Sequence, residues 1–169
     1  THDPVHQISI IPRGSAGGFT MYLPEKDPSY VTKTAMNENI VCLLGGRVAE
    51  QLVLDDISTG ASNDLQRATD TARAMVTRYG MSKTFGMVAL ETVTNQYLGG
   101  DTSIACSADT ATRVDQEVIA LIGQAYARAK ELLEQDRAAM DRLSAYLLEK
   151  ETITGEEFMD ILGKQEQNA

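Results

Sequence analysis

Four side chains in this sequence have the types and spacing to bind a metal or handle a proton: Glu50, Asp64, His2 and His6. Asp64 follows Ala61-Ser62-Asn63 at the start of a helical pattern. From spacing alone, a carboxylate in the first helical turn is explained by its favourable interaction with the helix macrodipole. Glu50 is crowded by Val48, Ala49 and Leu52, and acids are rarely buried unless paired. From its surroundings alone it reads as one half of an ion pair with Arg47 or Arg67. His2 and His6 stand four apart, the interval that places two imidazoles on one helical face. Pro4 disfavours helical geometry at Asp3, and a base at Asp3 would be one carbon shorter than glutamate. The pair therefore reads as a decoy.

Two further segments invite a chemical reading. Gly17-Gly18-Phe19-Thr20-Met21 combines strand formers with glycines that let a second backbone approach. It is either a plain edge strand or a strand to which an extended peptide adds by β-augmentation. The residues proposed to meet such a peptide are Gly18, Phe19, Thr20 and Met21. Gly80-Met81-Ser82-Lys83-Thr84 lacks both the adjacent Gly-Lys and the glycine spacing of a phosphate loop.

Composition narrows the class. A chain of 169 residues with 43 % hydrophobic content is long and apolar enough for one domain with its own core, and argues against disorder. Acids outnumber bases 24 to 15, a net charge of -9, which disfavours nucleic acid as a partner. Residues 101–169 carry 14 acids and 7 bases, which at helical spacing marks a solvated face. Cys42 and Cys106 make no disulfide framework and point to a reducing compartment. Cys42, within Ile40-Val41-Cys42-Leu43-Leu44, reads as a small hydrophobe. No apolar run is long enough to span a bilayer. The opening Thr1-His2-Asp3-Pro4 lacks an initiator methionine and reads as a piece of a longer protein.

The elements that must position these residues follow from periodicity. Gln7–Ile11 and Phe19–Leu23, separated by turn residues and closed by Pro24, predict two short strands in a hairpin or small sheet. After Pro28, Val31, Ala35, Ile40 and Leu43-Leu44 form one helical face. Gly45-Gly46 either ends that helix or admits another backbone while the helix resumes through Val48, Ala49 and Leu52. A loop over Asp55–Gly60 leads to a helix opening near Ser62 or Asn63, with Asn63 and Gln66 at capping-box spacing and Gly80 as its C′ residue. Residues 81–107 read as an irregular excursion, with Gly99-Gly100-Asp101 a candidate mobile loop. Ser107 or Asp109 caps a long helix whose stripe of Val114, Val118, Leu121, Ile122, Ala125, Ala129, Leu132 and Leu133 is a packing face. Met140, Leu143, Leu147 and Leu148 continue it. Thr154 and Glu157 form a capping box for a last helix carrying Phe158, Ile161 and Leu162.

Leu43–Glu50 and Ser58–Leu65, with Asp3–His6, Ile10–Gly14, Arg73–Thr77, Asp115–Val118 and Tyr126–Ala129 in the same order, resemble the protease domain of the FtsH family. These are membrane-anchored, ATP-dependent zinc proteases. The match is weakest over residues 86–107. The resemblance implies a mainly α-helical protease domain with a small N-terminal β-hairpin or sheet, residues 1–169 being a single domain that is the C-terminal part of a zinc metalloprotease domain, β-rich over 1–28 and helical over 29–169. It makes Asp64 the third zinc ligand and assigns Glu50 the histidine-orienting role, with direct ligation by Glu50 as the alternative. Three protein ligands and an open position are what a catalytic zinc needs, and zinc brings its bound water toward neutrality as a nucleophile. The family's His-Glu-x-x-His segment is absent from these residues, so the resemblance implies no catalytic base here and a chain inactive by itself. It further implies polypeptide substrates that are misfolded or short-lived, a homo-oligomeric ring, and ATP with magnesium in a domain outside this sequence. The parent would lie on the cytoplasmic face of the bacterial inner membrane through an anchor outside this sequence, the piece itself being soluble. A non-catalytic helical assembly module for ring formation is the alternative function.

Overall fold

A computed structural model describes residues 3–14, 17–23, 30–94, 101–104 and 106–163. His2, Pro24, Pro28 and Gly99-Gly100 lie outside the described residues. The chain divides into two compact units, Val31–Leu132 and Thr1–Tyr30 with Leu133–Ala169. Mainly helical architecture with a small antiparallel sheet is what forms. No described helix is long and apolar enough to cross a membrane.

The Val31–Leu132 unit is built on helices. Helix α1 runs from Lys33 to Leu54, capped by the Thr32 side chain, which accepts from the Ala35 N–H. Its apolar residues Ile40, Leu44 and Val48 recur every fourth position and are buried. Helix α2, Ser62–Thr77, answers with Ala68, Ala72, Met75 and Val76, the alanines leaving room for close helix packing. Helix α3, Ala108–Gln135, adds Val114, Val118 and Ala125 to the same core, with Leu121 and Ile122 partly buried against it. Ser107 is its cap, accepting from the Thr110 N–H at 3.3 Å. The α3 stripe is thus a core face, as its spacing predicts.

Gly45 and Gly46 do not end α1, and no atom of another described element comes within 4 Å of the space their missing side chains leave. The helix begins after Val31, which is exposed. Cys42 lies on the exposed side of α1, because it falls between the positions that Ile40 and Leu44 turn inward. Partial desolvation and the nearby Glu38 carboxylate push its thiol pKa up. The C-cap of α2 is Arg78, so Gly80 stands one residue beyond the C′ position predicted for it; it takes the left-handed conformation, φ 60°, and an added Cβ would sit 3.2 Å from the Met87 Cα.

The predicted irregular excursion over 81–107 is partly ordered as sheet. Strands β3, Glu91–Thr94, and β4, Asp101–Ile104, pair antiparallel. Their attachment to α2 is a polar clasp. Leu90 donates to the Thr77 carbonyl at 2.8 Å, and the Glu91 carboxylate accepts from Thr77 Oγ1 at 2.8 Å and Arg78 at 2.7 Å.

In the other unit, β1, Val5–Ser9, lies between β2, Phe19–Tyr22, and β5, Thr152–Thr154, all antiparallel. The third strand comes from the far end of the chain, so residues 29–169 are not purely helical. Its register is pinned by the Ser9 and Thr152 hydroxyls at 2.8 Å and by Ile10 N–H on the Glu151 carbonyl at 2.9 Å. Helices α4, Arg137–Lys150, and α5, Gly155–Gly163, complete the unit. In α4, Ala139 and Leu147 turn inward, whereas Leu148, predicted on the same stripe, is 77 % exposed because it sits one residue, about 100°, further round. The Thr154–Glu157 capping box forms in both directions: Thr154 N–H reaches Glu157 at 2.8 Å and Glu157 N–H reaches Thr154 Oγ1 at 3.3 Å.

Two adjacent residues test the stripe on α3. Val118 is buried and Ile119 is 70 % exposed. Val118→Asp should unfold the chain, because it buries an unpaired charge, while Ile119→Asp should shift the urea midpoint little. Equal effects would contradict the packing. Glu91 supplies a pH test. The Arg78 hydrogen bond, backed by that of Thr77, holds its carboxyl below the usual glutamate range against opposing desolvation. A depressed folded-state pKa adds stability above the unfolded value, about 4.3, and loses it as pH falls through the folded value. Wild type should therefore exceed Glu91→Gln in stability at pH 7, with the gap closing in acid. A gap independent of pH would contradict the clasp.

Candidate metal centre

Helix α1 ends at Asp55, which takes the left-handed conformation, φ 51°, that aspartate tolerates better than most residues. The chain reverses through Asp56 and Ile57, with Asp56 accepting from the Ile57 N–H at 2.7 Å. Ser58 comes next, and it is the residue that ties the reversal to the helix behind it. Its hydroxyl donates a short hydrogen bond to Glu50 Oε1, and its N–H donates to Glu50 Oε2 at 3.3 Å. The same hydroxyl accepts from the Gly60 N–H at 3.1 Å, capping a 3-10 turn over Thr59–Ala61. Gly60 suits this tight turn: a Cβ there would stand 3.2 Å from Ser58 Oγ and 3.9 Å from Glu50 Oε1.

Helix α2 grows directly from that turn. Its N-cap is Ala61, which offers no side-chain cap, and Ala61 is itself buried. The predicted Asn63–Gln66 capping box does not form. Ser62 is already helical and its N–H bonds to the Thr59 carbonyl, so Asn63 stands inside the helix rather than at its cap, and Gln66 donates instead to Asp70 at 2.9 Å. Asp64 consequently sits in the first turn of α2. Its carboxylate is 46 % exposed and meets Arg67 at 3.7 Å, a loose ion pair one turn on. In that position the macrodipole favours negative charge.

Glu50 is more enclosed, its side chain 26 % exposed. Arg47, 14 % exposed, stands 3.6 Å from Glu50 Oε2, so of the two cations predicted as its partner Arg47 is the one that pairs. That guanidinium nitrogen is buried without a hydrogen bond and depends on the carboxylate's charge. The Ser58 hydroxyl bond, then the Ser58 N–H, then Arg47 hold the Glu50 carboxyl below the ordinary range, against desolvation and the Asp56 charge. Both oxygens are therefore already committed to protein donors.

The described residues fit zinc in part. Asp64 is a hard oxygen donor without a close hydrogen bond from the described residues to compete for it. Among the described residues, no three His, Cys, Asp or Glu side chains converge as a ligand set. His6 is exposed on β1, in extended rather than helical backbone, and His2 lies outside the described residues. Asp64 can thus be one ligand of a site that these residues do not complete.

The predicted substrate strand belongs to the other unit. β2 pairs with β1 on one side and is the outer strand of its sheet among the described residues. Phe19 is partly buried beneath the Arg13 guanidinium, 5.4 Å from the ring centre, while Thr20 and Met21 are exposed. Gly18 is explained from within. A Cβ there would fall 2.6 Å from the Ser9 carbonyl oxygen, so the backbone that approaches it is that of this chain. Sequence reasoning missed Ser58. Its signal was present, a serine just before a glycine-containing turn that opens a helix.

Residues 1–161 match the family model described as Peptidase family M41. Over 163 residues the chain is 48 % identical to the ATP-dependent zinc metalloprotease FtsH of Caldicellulosiruptor bescii, covering 95 % of this chain and 26 % of that protein. It is 47 % identical over 161 residues to the protein of the same name from Clostridium perfringens, covering 95 % of this chain and 22 % of that protein. It is 50 % identical over 162 residues to ATP-dependent zinc metalloprotease FtsH 2 of Alkaliphilus metalliredigens, covering 94 % of this chain and 24 % of that protein. The chain spans about a quarter of the length of these curated relatives. A match across 161 residues leaves one conclusion: the chain belongs to peptidase family M41.

Proposed function

We propose that this chain is the part of a zinc metalloendopeptidase domain that supplies Asp64 as one metal ligand and holds it in place through Glu50 and Ser58. The observation that carries the reading is the Glu50–Ser58 double hydrogen bond, which ties the end of α1 to the turn that launches α2. When bound, zinc polarises a peptide carbonyl and lowers the pKa of its water. The chain's own part is to fix the direction of one carboxylate. A carboxylate has about four lone-pair sites, so Glu50 retains capacity for one more donor, such as the free N–H of a metal-bound imidazole. Its existing partners favour this positioning role over direct ligation.

The outer edge of β2 suits an extended polypeptide, since main-chain hydrogen bonds accept many sequences and the exposed Thr20 and Met21 line that strand. By likeness to relatives named as ATP-dependent zinc metalloproteases, the parent protein would couple ATP hydrolysis in another domain to degradation of misfolded or short-lived proteins. It would work as a homo-oligomeric ring held at the cytoplasmic face of a bacterial membrane. The acidic balance argues against nucleic acid as a partner.

Purified chain incubated with zinc and unfolded casein should show no cleavage, because the described residues supply one ligand and no general base. Chelator-sensitive cleavage would overturn this. In a longer protein joining this chain to a His-Glu-x-x-His segment, Asp64→Ala should empty the metal, read as bound zinc per protomer. Glu50→Gln should cost on the order of 10–100-fold in metal affinity, the range for residues that orient ligands. Ser58→Ala should resemble Glu50→Gln, and Ser58→Thr, which keeps the hydroxyl, should rescue it. Full zinc occupancy in Asp64→Ala with an empty site in Glu50→Gln would reverse the two roles.

A further inference from the structure

A concave site lies within the Val31–Leu132 unit, a cavity of about 460 Å³ between α1, α2, α3 and the turn after α2. Neither Glu50 nor Asp64 lines it. Its accessible apolar wall comes from Val41, Met81 and Leu121, with the buried Met75 and Val76 behind them. Its polar margin is cationic: Lys33, Lys83 and Arg128 against a single acid, Glu117. This is unexpected on a chain of net charge -9.

The partners of these charges leave positive potential unspent. Glu117 accepts from the Ser82 hydroxyl at 2.8 Å and so serves the turn. Lys33 donates a short hydrogen bond to the Met81 carbonyl, which holds the ammonium in place without cancelling its charge. Arg128 pairs with Glu131 at 2.7 Å, on an exposed stretch of α3. Lys83 is exposed and has no carboxylate within ion-pair distance among the described residues. Small apolar cavities with a few convergent charged groups are the usual form of a ligand site. The complement of an apolar wall with ammonium groups at its margin is an apolar group carrying a carboxylate.

We propose that this cavity binds the free carboxyl terminus of a polypeptide whose last residue is apolar. Its side chain packs on Val41 and Leu121, and its carboxylate meets Lys83 and Lys33. The choice of a peptide as the source of the carboxylate rests on the peptidase reading, because each hydrolysed peptide bond creates one such terminus. The binding itself requires neither zinc nor catalysis. The site would retain a cleaved product.

The test is titration of the purified chain with a short peptide ending in leucine, as free acid and as C-terminal amide, followed by methyl NMR of Val41, Met81 and Leu121. The acid should shift these methyls and bind at least tenfold more tightly than the amide, with affinity falling as salt rises. Lys83→Gln, at an exposed position that should leave folding intact, should weaken the acid about tenfold, the size of one lost charge-assisted hydrogen bond. Its binding of the amide should not change. Equal binding of acid and amide, or an unaltered affinity in Lys83→Gln, would overturn the site. Octanoate binding as tightly as the peptide would overturn the peptide assignment and make this a site for free amphiphilic acids. All of these outcomes are independent of whether the parent enzyme cleaves protein.

Discussion

A partly buried carboxylate must find donors, and where Glu50 finds them decides the local geometry of this protein. Its two oxygens take the N–H and hydroxyl of Ser58, eight residues along, and its charge answers the buried Arg47 guanidinium. Those bonds turn an acidic connection into a fixed bracket. Without them the segment from Asp55 to Ala61 would join two helices with few side-chain ties of its own. With them, the 3-10 turn is capped and α2 begins at one defined residue, which places Asp64 in its first turn.

The bracket works because the two helices it joins are already held. Ile40, Leu44 and Val48 on α1 and Ala68, Ala72, Met75 and Val76 on α2 are buried at three- and four-residue intervals, and α3 closes the same core. Close packing of this kind transmits position, since a buried aliphatic side chain cannot shift without opening a void. A carboxylate on the first turn of a packed helix is therefore aimed more reproducibly than one on a free loop. The ordering of Glu50 and Asp64 into separate tasks follows: one is spent on protein donors, the other is left available.

Much of this was legible in the sequence, for stated reasons. Helical periodicity exposed the α3 stripe, and the Thr154–Glu157 spacing located the start of α5, because both depend on neighbours a turn away. The misses share the opposite property. Strand β5 pairs with β1 across most of the chain, and no local pattern in Thr152-Ile153-Thr154 announces that partner. The β3–β4 pair lay in a stretch rich in Thr, Ser and Gly that reads as loop. Asn63 and Gln66 had capping spacing, yet the 3-10 turn before them moved the helix start and left Asn63 inside the helix. Gly18 looked like an opening for a foreign strand, whereas the Ser9 carbonyl already occupies that space. The Asp64 and Glu50 assignments came from resemblance to the FtsH family. Spacing alone gave only a helix-end charge and an ion pair, and the Arg47 pair is indeed present.

Membership of peptidase family M41 fixes the class of chemistry to which such a bracket is relevant, and the central claim is that Glu50 holds the turn carrying Asp64. Amide hydrogen exchange, residue by residue, tests it most directly by comparing wild type with Glu50→Gln. The account predicts faster exchange confined to the Gly60 and Ser62 amides and the first turn of α2, with the amides around Met75 and Val118 unchanged. Unaltered protection at Gly60 and Ser62 would contradict it, because the turn would then stand without Glu50.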